Sequence, residues 1–253
     1  MQTEYRKEYS HNLNRDMEYK IYGHAGKPVL VFAPQNGHFY DFEDFGMVDT
    51  VAPWIENGDI QLFCVDSVDA ESWSDEYRDP HERGEICEAF YRYIADEFYP
   101  RMIELNMGYN NDGVYRKPMT TGVSMGAAHA GNFFFRRPDL FDSVLSLSGV
   151  FNAAFFFHGY MDDNVYKNSP EDFIRNMPAD HPWLDMYRHS KMIFCVGQGA
   201  WEDEMKNSMR SLEAILRSKG VTNAWFDWWG YDVNHDWPWW KKQIVYFLPK
   251  LLE

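Results

Sequence analysis

The chain has little cysteine, no surplus of positive charge and no long apolar run, and each shortage excludes a class of protein. Its three cysteines, Cys64, Cys87 and Cys195, are odd in number and far apart. They give neither a disulfide framework nor the paired spacing of a zinc site. Two lie in the apolar runs "LFCV" and "IFCV", where a thiol behaves as a small buried hydrophobe. That usage suits a reducing compartment, and a cytoplasmic protein is expected. Acidic residues number 39 against 24 basic ones, a formal net charge of −15. Nucleic-acid partners are therefore not expected, because binding them requires cations that neutralise phosphates. The sequence contains no basic amphipathic stretch and no 18-residue apolar run, so neither membrane-surface binding nor membrane spanning is expected. The opening "MQTEYRKEYSHNLNRDMEYK" has no apolar core of a secretory signal. Internal repeats, low-complexity tracts and Pro/Gly/Ser-rich linkers are also missing, so residues 1–253 read as a single domain.

Aromatics, by contrast, are plentiful, at 18% of the chain with ten tryptophans. Such side chains build cores, and they also line pockets for rings and sugars. Short β-rich runs alternate with longer amphipathic ones. Strands are predicted near Glu4–Tyr9 and Met17–Tyr22, and then in "KPVLVFAP", "DIQLFCVD", "KPMTTG", "FDSVLSLSG", "SKMIFCVGQG" and "NAWFDWWG". Helices are predicted from Pro80 through "GEICEAFYRYIADEFYPRMIEL", with Pro100 kinking or splitting it. Others are expected over "DEMKNSMRSLEAILRSKG" and "WPWWKKQIVYFLPKLLE". Alternating strands and helices imply α/β architecture: a mostly parallel eight-stranded sheet with helices on both faces. Residues 151–190 show little regular pattern and are expected to form a small, irregular, lid-like segment.

Gly122-Val123-Ser124-Met125-Gly126 matches G-x-S-x-G, lying between a strand ("KPMTT") and a helix ("AAHAGNFFFRR"). That context is the nucleophile elbow, a tight turn that flanking glycines permit. A serine hydroxyl needs a base. Of nine histidines, His129 follows Ser124 at i+5 in the same helix and points away from it. His235, in "GYDVNHDWPWW" after the last strand, is expected at the same sheet edge as the elbow. The orienting acid should fall between serine and histidine, after the penultimate strand. "MIFCVGQGAWEDEM" offers Glu202, Asp203 and Glu204 there. Asp203 is favoured, with Glu202 its rival, and Asp203 has a competing use in the first turn of the next helix. For the oxyanion hole, Met125 supplies one backbone N–H. The loop "APQNGHFYDFEDFG" supplies the other, from His38 or else Gly37.

Serine, acid, histidine and oxyanion loop thus fall in an order that resembles the α/β-hydrolase superfamily, and more closely its "putative esterase" (esterase D-like) family. The segments that carry the likeness are "VLVFAPQNGHFYDFEDFG", "TTGVSMGAAHA", "RRPDLFDSVLSLSGVF", "VGQGAWEDE" and "NHDWPWWKKQI", so it covers nearly the whole chain. The family includes S-formylglutathione hydrolases, feruloyl and acetyl-xylan esterases and mycolyltransferases. The resemblance implies the α/β-hydrolase fold and hydrolysis of a small-molecule carboxylic ester through an acyl-enzyme. By the same match, Asp203 takes the position of the mycolyltransferase carboxylate. The expected machinery is Ser124, Asp203 and His235, with Met125 and His38 as oxyanion donors and neither metal nor organic cofactor. Trp201 and Trp237 are expected against a small acyl or aryl ester, including a sugar-linked one. The competing expectations are acyl transfer by the same triad and a catalytically silent ligand binder.

Overall fold

The computed structural model describes residues 1–253. Eight strands form one sheet: β1 (Thr3–Ser10), β2 (Arg15–Tyr22), β3 (Lys27–Phe32), β4 (Ile60–Val65), β5 (Met119–Val123), β6 (Ser143–Leu147), β7 (Lys191–Val196) and β8 (Trp225–Trp228). Their spatial order is β1-β2-β4-β3-β5-β6-β7-β8. β1 and β2 pair antiparallel, as does β2 with β4, and every remaining pair is parallel. Successive residues of a strand point to opposite faces, and both faces of β3, β4 and β7 are covered, so these strands are apolar on both sides. Leu30 and Phe32 of β3 face one core, while Val29 and Val31 face the other. This is the α/β-hydrolase fold.

Twelve helices connect and cover the strands. α1 (Asp41–Asp44), α2 (Met47–Thr50) and α3 (Ala52–Glu56) fill the connection from β3 to β4. α4 (Pro80–Arg92) and α5 (Tyr99–Asn110) precede β5, and α6 (Met125–Arg136) follows it. The four short helices α7 (Ala153–Phe156), α8 (Asp163–Lys167), α9 (Pro170–Asn176) and α10 (Pro182–Arg188) lie between β6 and β7. α11 (Asp203–Ser218) and α12 (Trp237–Leu252) complete the chain. The first core packs α4, α5 and α6 on the sheet through Phe90, Met102 and Phe133–Phe135. On the opposite face, Trp240, Ile244 and Phe247 of α12 join α1–α3.

Two segments extend the sequence reading. Of the two alternatives at Pro100, a kink or a split, the split does not occur, since the chain stays helical throughout. Residues Tyr93–Phe98 widen into a π-helical stretch between α4 and α5, and this accommodates the proline's missing N–H and the bulk of its ring. Residues 151–190 are largely helical rather than irregular, and they bury Val165, Ile174, Leu184 and Tyr187. Each helix there spans only four to seven residues, too few to display a 3.6-residue period. Local caps hold them instead. Asn152, Asp162 and His181 accept backbone N–H bonds at three N-termini, and proline opens α9 and α10.

Candidate active site

Ser124 sits between β5 and α6 with φ 57° and ψ −125°, a strained backbone for any residue bearing a Cβ. Its two glycine neighbours make the turn possible. A Cβ at Gly122 would lie 2.3 Å from the Gly126 carbonyl oxygen, and one at Gly126 would lie 2.3 Å from that of Phe32. The serine amide donates to the Leu147 carbonyl at 3.0 Å, which fixes the turn to the end of β6. Its hydroxyl thereby stands at the C-terminal edge of the parallel strands, where open α/β sheets bind ligands.

His235 reaches that edge from the loop between β8 and α12. Its Nε2 is 2.8 Å from Ser124 Oγ. The loop is held against the one after β7, since the His235 amide donates to Ala200 O and the Ala200 amide to Asn234 Oδ1. Gly197 and Gly199 let the two backbones approach so closely. A Cβ at either would meet the Val233 carbonyl or the Asn234 side chain at 2.2–2.3 Å. His129 is elsewhere, as its helical direction requires. It pairs with buried Asp69 at 2.8 Å on the far side of α6.

Behind the imidazole stands Glu202, not Asp203. Glu202 Oε2 lies 3.4 Å from His235 Nδ1, and neither atom has another partner. The Glu202 side chain is wholly buried, whereas that of Asp203 is 86% exposed and pairs with Lys206. Lys206 also holds the Asp203 carboxyl below its ordinary range. Asp203 therefore fills its competing position, the acidic first turn of α11, and cannot orient the imidazole. The cause is the residue before the pair. Trp201 has a left-handed φ of 67°, and this turn sends Glu202 inward and Asp203 out to solvent. Ser148, itself at φ 62°, donates its hydroxyl to Glu202 Oε1 at 2.7 Å and accepts Trp240 Nε1–H at 3.1 Å. Trp240 also stands edge-on to His235, with ring centroids 4.8 Å apart. This Trp240–Ser148–Glu202 relay was not read from the sequence. Only the run of tryptophans after His235 hinted at it.

The oxyanion loop also differs from expectation. The Gly37 amide donates to Pro34 O. The His38 ring is half exposed, bonds Asp66 at 2.9 Å and stacks on Tyr40. Neither residue lines the cavity that holds Ser124. Gln35 does line the same cavity as Ser124, Met125 and His235, and the amides of Gln35 and Met125 donate to no other group of the protein. That cavity has a volume of about 380 Å³, and Val150, Phe155, Phe156, Trp201 and Met205 complete its wall. Trp237 is not part of it. Its ring stacks on Phe45 and meets Phe42 and Trp240 edge-on.

Comparison with known proteins places the chain in a family and a fold. The model of the family described as "Putative esterase" matches residues 10–251. No curated protein sequence matches the chain. Among solved structures, a ferulic acid esterase superposes with a TM-score of 0.74 at 16% identity, covering 99% of this chain and 97% of that one. MPT51 of Mycobacterium tuberculosis gives 0.68 at 16% identity, with 100% and 98% covered. The fluorophosphonate-binding serine hydrolase F of Staphylococcus aureus, solved with substrate bound, gives 0.66 at 13% identity, with 100% and 98% covered. At such identities the superpositions establish the fold, while the family match extends over nearly the whole sequence. The chain belongs to the "putative esterase" family of the α/β-hydrolase superfamily and is a carboxylic ester hydrolase.

Proposed function

We propose that the protein is a serine esterase acting on small acyl or aryl esters, with Ser124 as nucleophile, His235 as base and Glu202 as the acid that orients it. The observation that carries this reading is the 2.8 Å contact between His235 Nε2 and a serine hydroxyl at a positive-φ elbow. With Nδ1–H facing the Glu202 carboxylate, Nε2 is left free to accept the Ser124 proton as Oγ bonds to the substrate carbonyl carbon. The carbonyl oxygen, now negative, would lie against the amides of Met125 and Gln35, and each such donor is worth about 3 kcal/mol in the transition state. Collapse of this intermediate breaks the ester C–O bond, and the imidazolium returns the proton to the departing alcohol. Water, deprotonated by His235, then releases the acid and restores Ser124.

The cavity wall of Val150, Phe155, Phe156, Trp201 and Met205 is apolar, which favours an aryl or short acyl group at the reacting carbonyl. Trp201, 85% exposed at the rim, offers a face on which a substrate ring can stack. The three buried, unpaired thiols suit a reducing compartment, and we infer that the enzyme works in the cytoplasm. No helix is long and apolar enough to cross a membrane.

The test is hydrolysis of p-nitrophenyl acetate and butyrate by wild type and Ser124→Ala. Loss of about 10⁴-fold or more in kcat is expected, and equal rates in both proteins would sink the proposal. Adding acceptor alcohols checks the reaction type. A transfer product that dominates at low acceptor concentration would assign acyl transfer instead of hydrolysis.

A further inference from the structure

A second cavity, of about 360 Å³, lies at the end of α6 remote from Ser124. α6 is 12 residues long, so its rise alone separates the two ends by about 18 Å. Four aromatic side chains, Tyr91, Tyr166, Phe173 and Trp183, line this cavity. No carboxylate does, although acidic residues outnumber basic ones 39 to 24 in the chain. Its polar lining is rich in donors. Lys167 is exposed and forms no ion pair. His181 Nδ1 accepts the Trp183 backbone N–H at 3.2 Å, so the ring proton resides on Nε2, the outward donor. The buried Arg136 is already neutralised, with its two terminal nitrogens 2.7 and 3.0 Å from the Glu88 carboxylate. Its guanidinium packs over the Tyr91 ring at 3.4 Å and so fixes one aromatic wall.

We propose that this cavity is a second ligand site, separate from the hydrolytic one, for a planar aromatic carboxylate. The ring lies among Tyr91, Phe173 and Trp183, and the carboxylate meets Lys167 Nζ and His181 Nε2–H. The charge argument fixes the class. A neutral ring gains only the aromatic contacts, and a cation, although the ring faces attract it, is repelled by the unpaired Lys167 ammonium. An anion gains a charge-assisted bond from each donor. The volume suits a ligand of one or two fused rings. The proposal does not depend on the assignment of Ser124.

Methionine methyl groups report the two cavities separately, because Met177 lines this one and Met125 and Met205 line the one at Ser124. The full chain, ¹³C-methyl-labelled at methionine, is titrated with 2-naphthoate and with the neutral 2-naphthamide while NMR spectra are recorded. The Met177 resonance should move with 2-naphthoate at lower concentration than with 2-naphthamide. Lys167→Glu, an exposed change that leaves the fold intact, should weaken naphthoate binding at Met177 by at least about fivefold. Three results would overturn the site: shifts confined to Met125 and Met205, equal affinity for acid and amide, or unchanged naphthoate affinity in Lys167→Glu. So would the absence of any Met177 shift at about 10 mM ligand, beyond the millimolar range of weak specific binding.

Discussion

Replacing Glu202 with glutamine removes one negative charge from behind His235 and changes little else in shape. In the wild type, Glu202 Oε1 accepts the Ser148 hydroxyl, and Oε2 faces His235 Nδ1 at 3.4 Å. A glutamine that keeps its carbonyl on Ser148 turns its NH₂ toward Nδ1. Nδ1 must then be the acceptor, which moves the ring proton to Nε2, the nitrogen that has to take the Ser124 proton. The same change in a Ser-His-Asp triad lowers kcat by about 10⁴-fold through the wrong tautomer, and a loss of about 10³- to 10⁴-fold is expected here. Stability should move little or rise, because a wholly buried charge is exchanged for a neutral amide of equal size. Asp203→Asn removes an exposed charge paired only with Lys206 and should leave kcat within about twofold of wild type, as surface ion pairs contribute little. Initial rates on p-nitrophenyl butyrate, with thermal melts of each variant, measure both effects. A Glu202→Gln enzyme that retains its rate, or an Asp203→Asn enzyme that loses it, would refute the assignment.

Gly126→Ala should destabilise by about 3 kcal/mol or more, since its Cβ would sit 2.3 Å from the Phe32 carbonyl oxygen. For a domain of this size that lowers Tm by roughly 6–12 °C, and a melt within about 1 °C of wild type would contradict the packing described. Trp201→Gly relieves a left-handed backbone worth about 1–2 kcal/mol but frees the unfolded chain by about 0.4–1 kcal/mol. Tm should therefore hold or rise slightly, while KM for aryl esters increases several-fold. A fall in both Tm and kcat at unchanged KM would show that the indole is structural. Burial raises the Glu171 carboxyl above its ordinary value of 4.5, partly opposed by bonds from Ser208 and Ser211. The folded state thus favours the protonated form, a contribution present in full below about 4.5 and lost as pH rises through the folded value. Glu171→Gln should accordingly gain Tm relative to wild type between pH 4 and pH 7, and a difference that stays flat or shrinks across that window counts against the burial argument.

The sheet was legible because its evidence is repetitive. Strands β3, β4 and β7 are apolar on both faces, and each long helix repeats its pattern over several turns, so a misread residue changes little. Ser124 was legible for another reason. The elbow tolerates no Cβ on either side, and that requirement is written into the sequence as Gly122 and Gly126. His235 followed from topology, as the histidine placed after the last strand. The segment from 151 to 190 had no such redundancy. Its helices are one or two turns long and rest on single caps, so no period could emerge.

The residue behind the imidazole is Glu202, the rival of the favoured Asp203, and the loop residue at the cavity is Gln35, three before His38; both differences have the same physical origin. In a strand or helix, side-chain direction follows from position, so counting residues is enough. In a turn, the direction depends on φ, which a sequence shows only where glycine marks it. At Trp201 the left-handed conformation is taken by a tryptophan, and Asn36 beside Gln35 also has a positive φ, of 56°. Neither residue advertises the reversal as glycine would. At these reversals Glu202 rather than Asp203 faces the imidazole, and Gln35 rather than His38 lines the cavity. Strain at a bulky residue persists only where surrounding structure over-determines it. At Trp201 those restraints are visible, with Glu202 buried under Ser148 on one side and Ala200 bonded to His235 and Asn234 on the other. The unreadable turn is thus the one that sets Glu202 behind His235, and its illegibility in the sequence and that placement have a single cause.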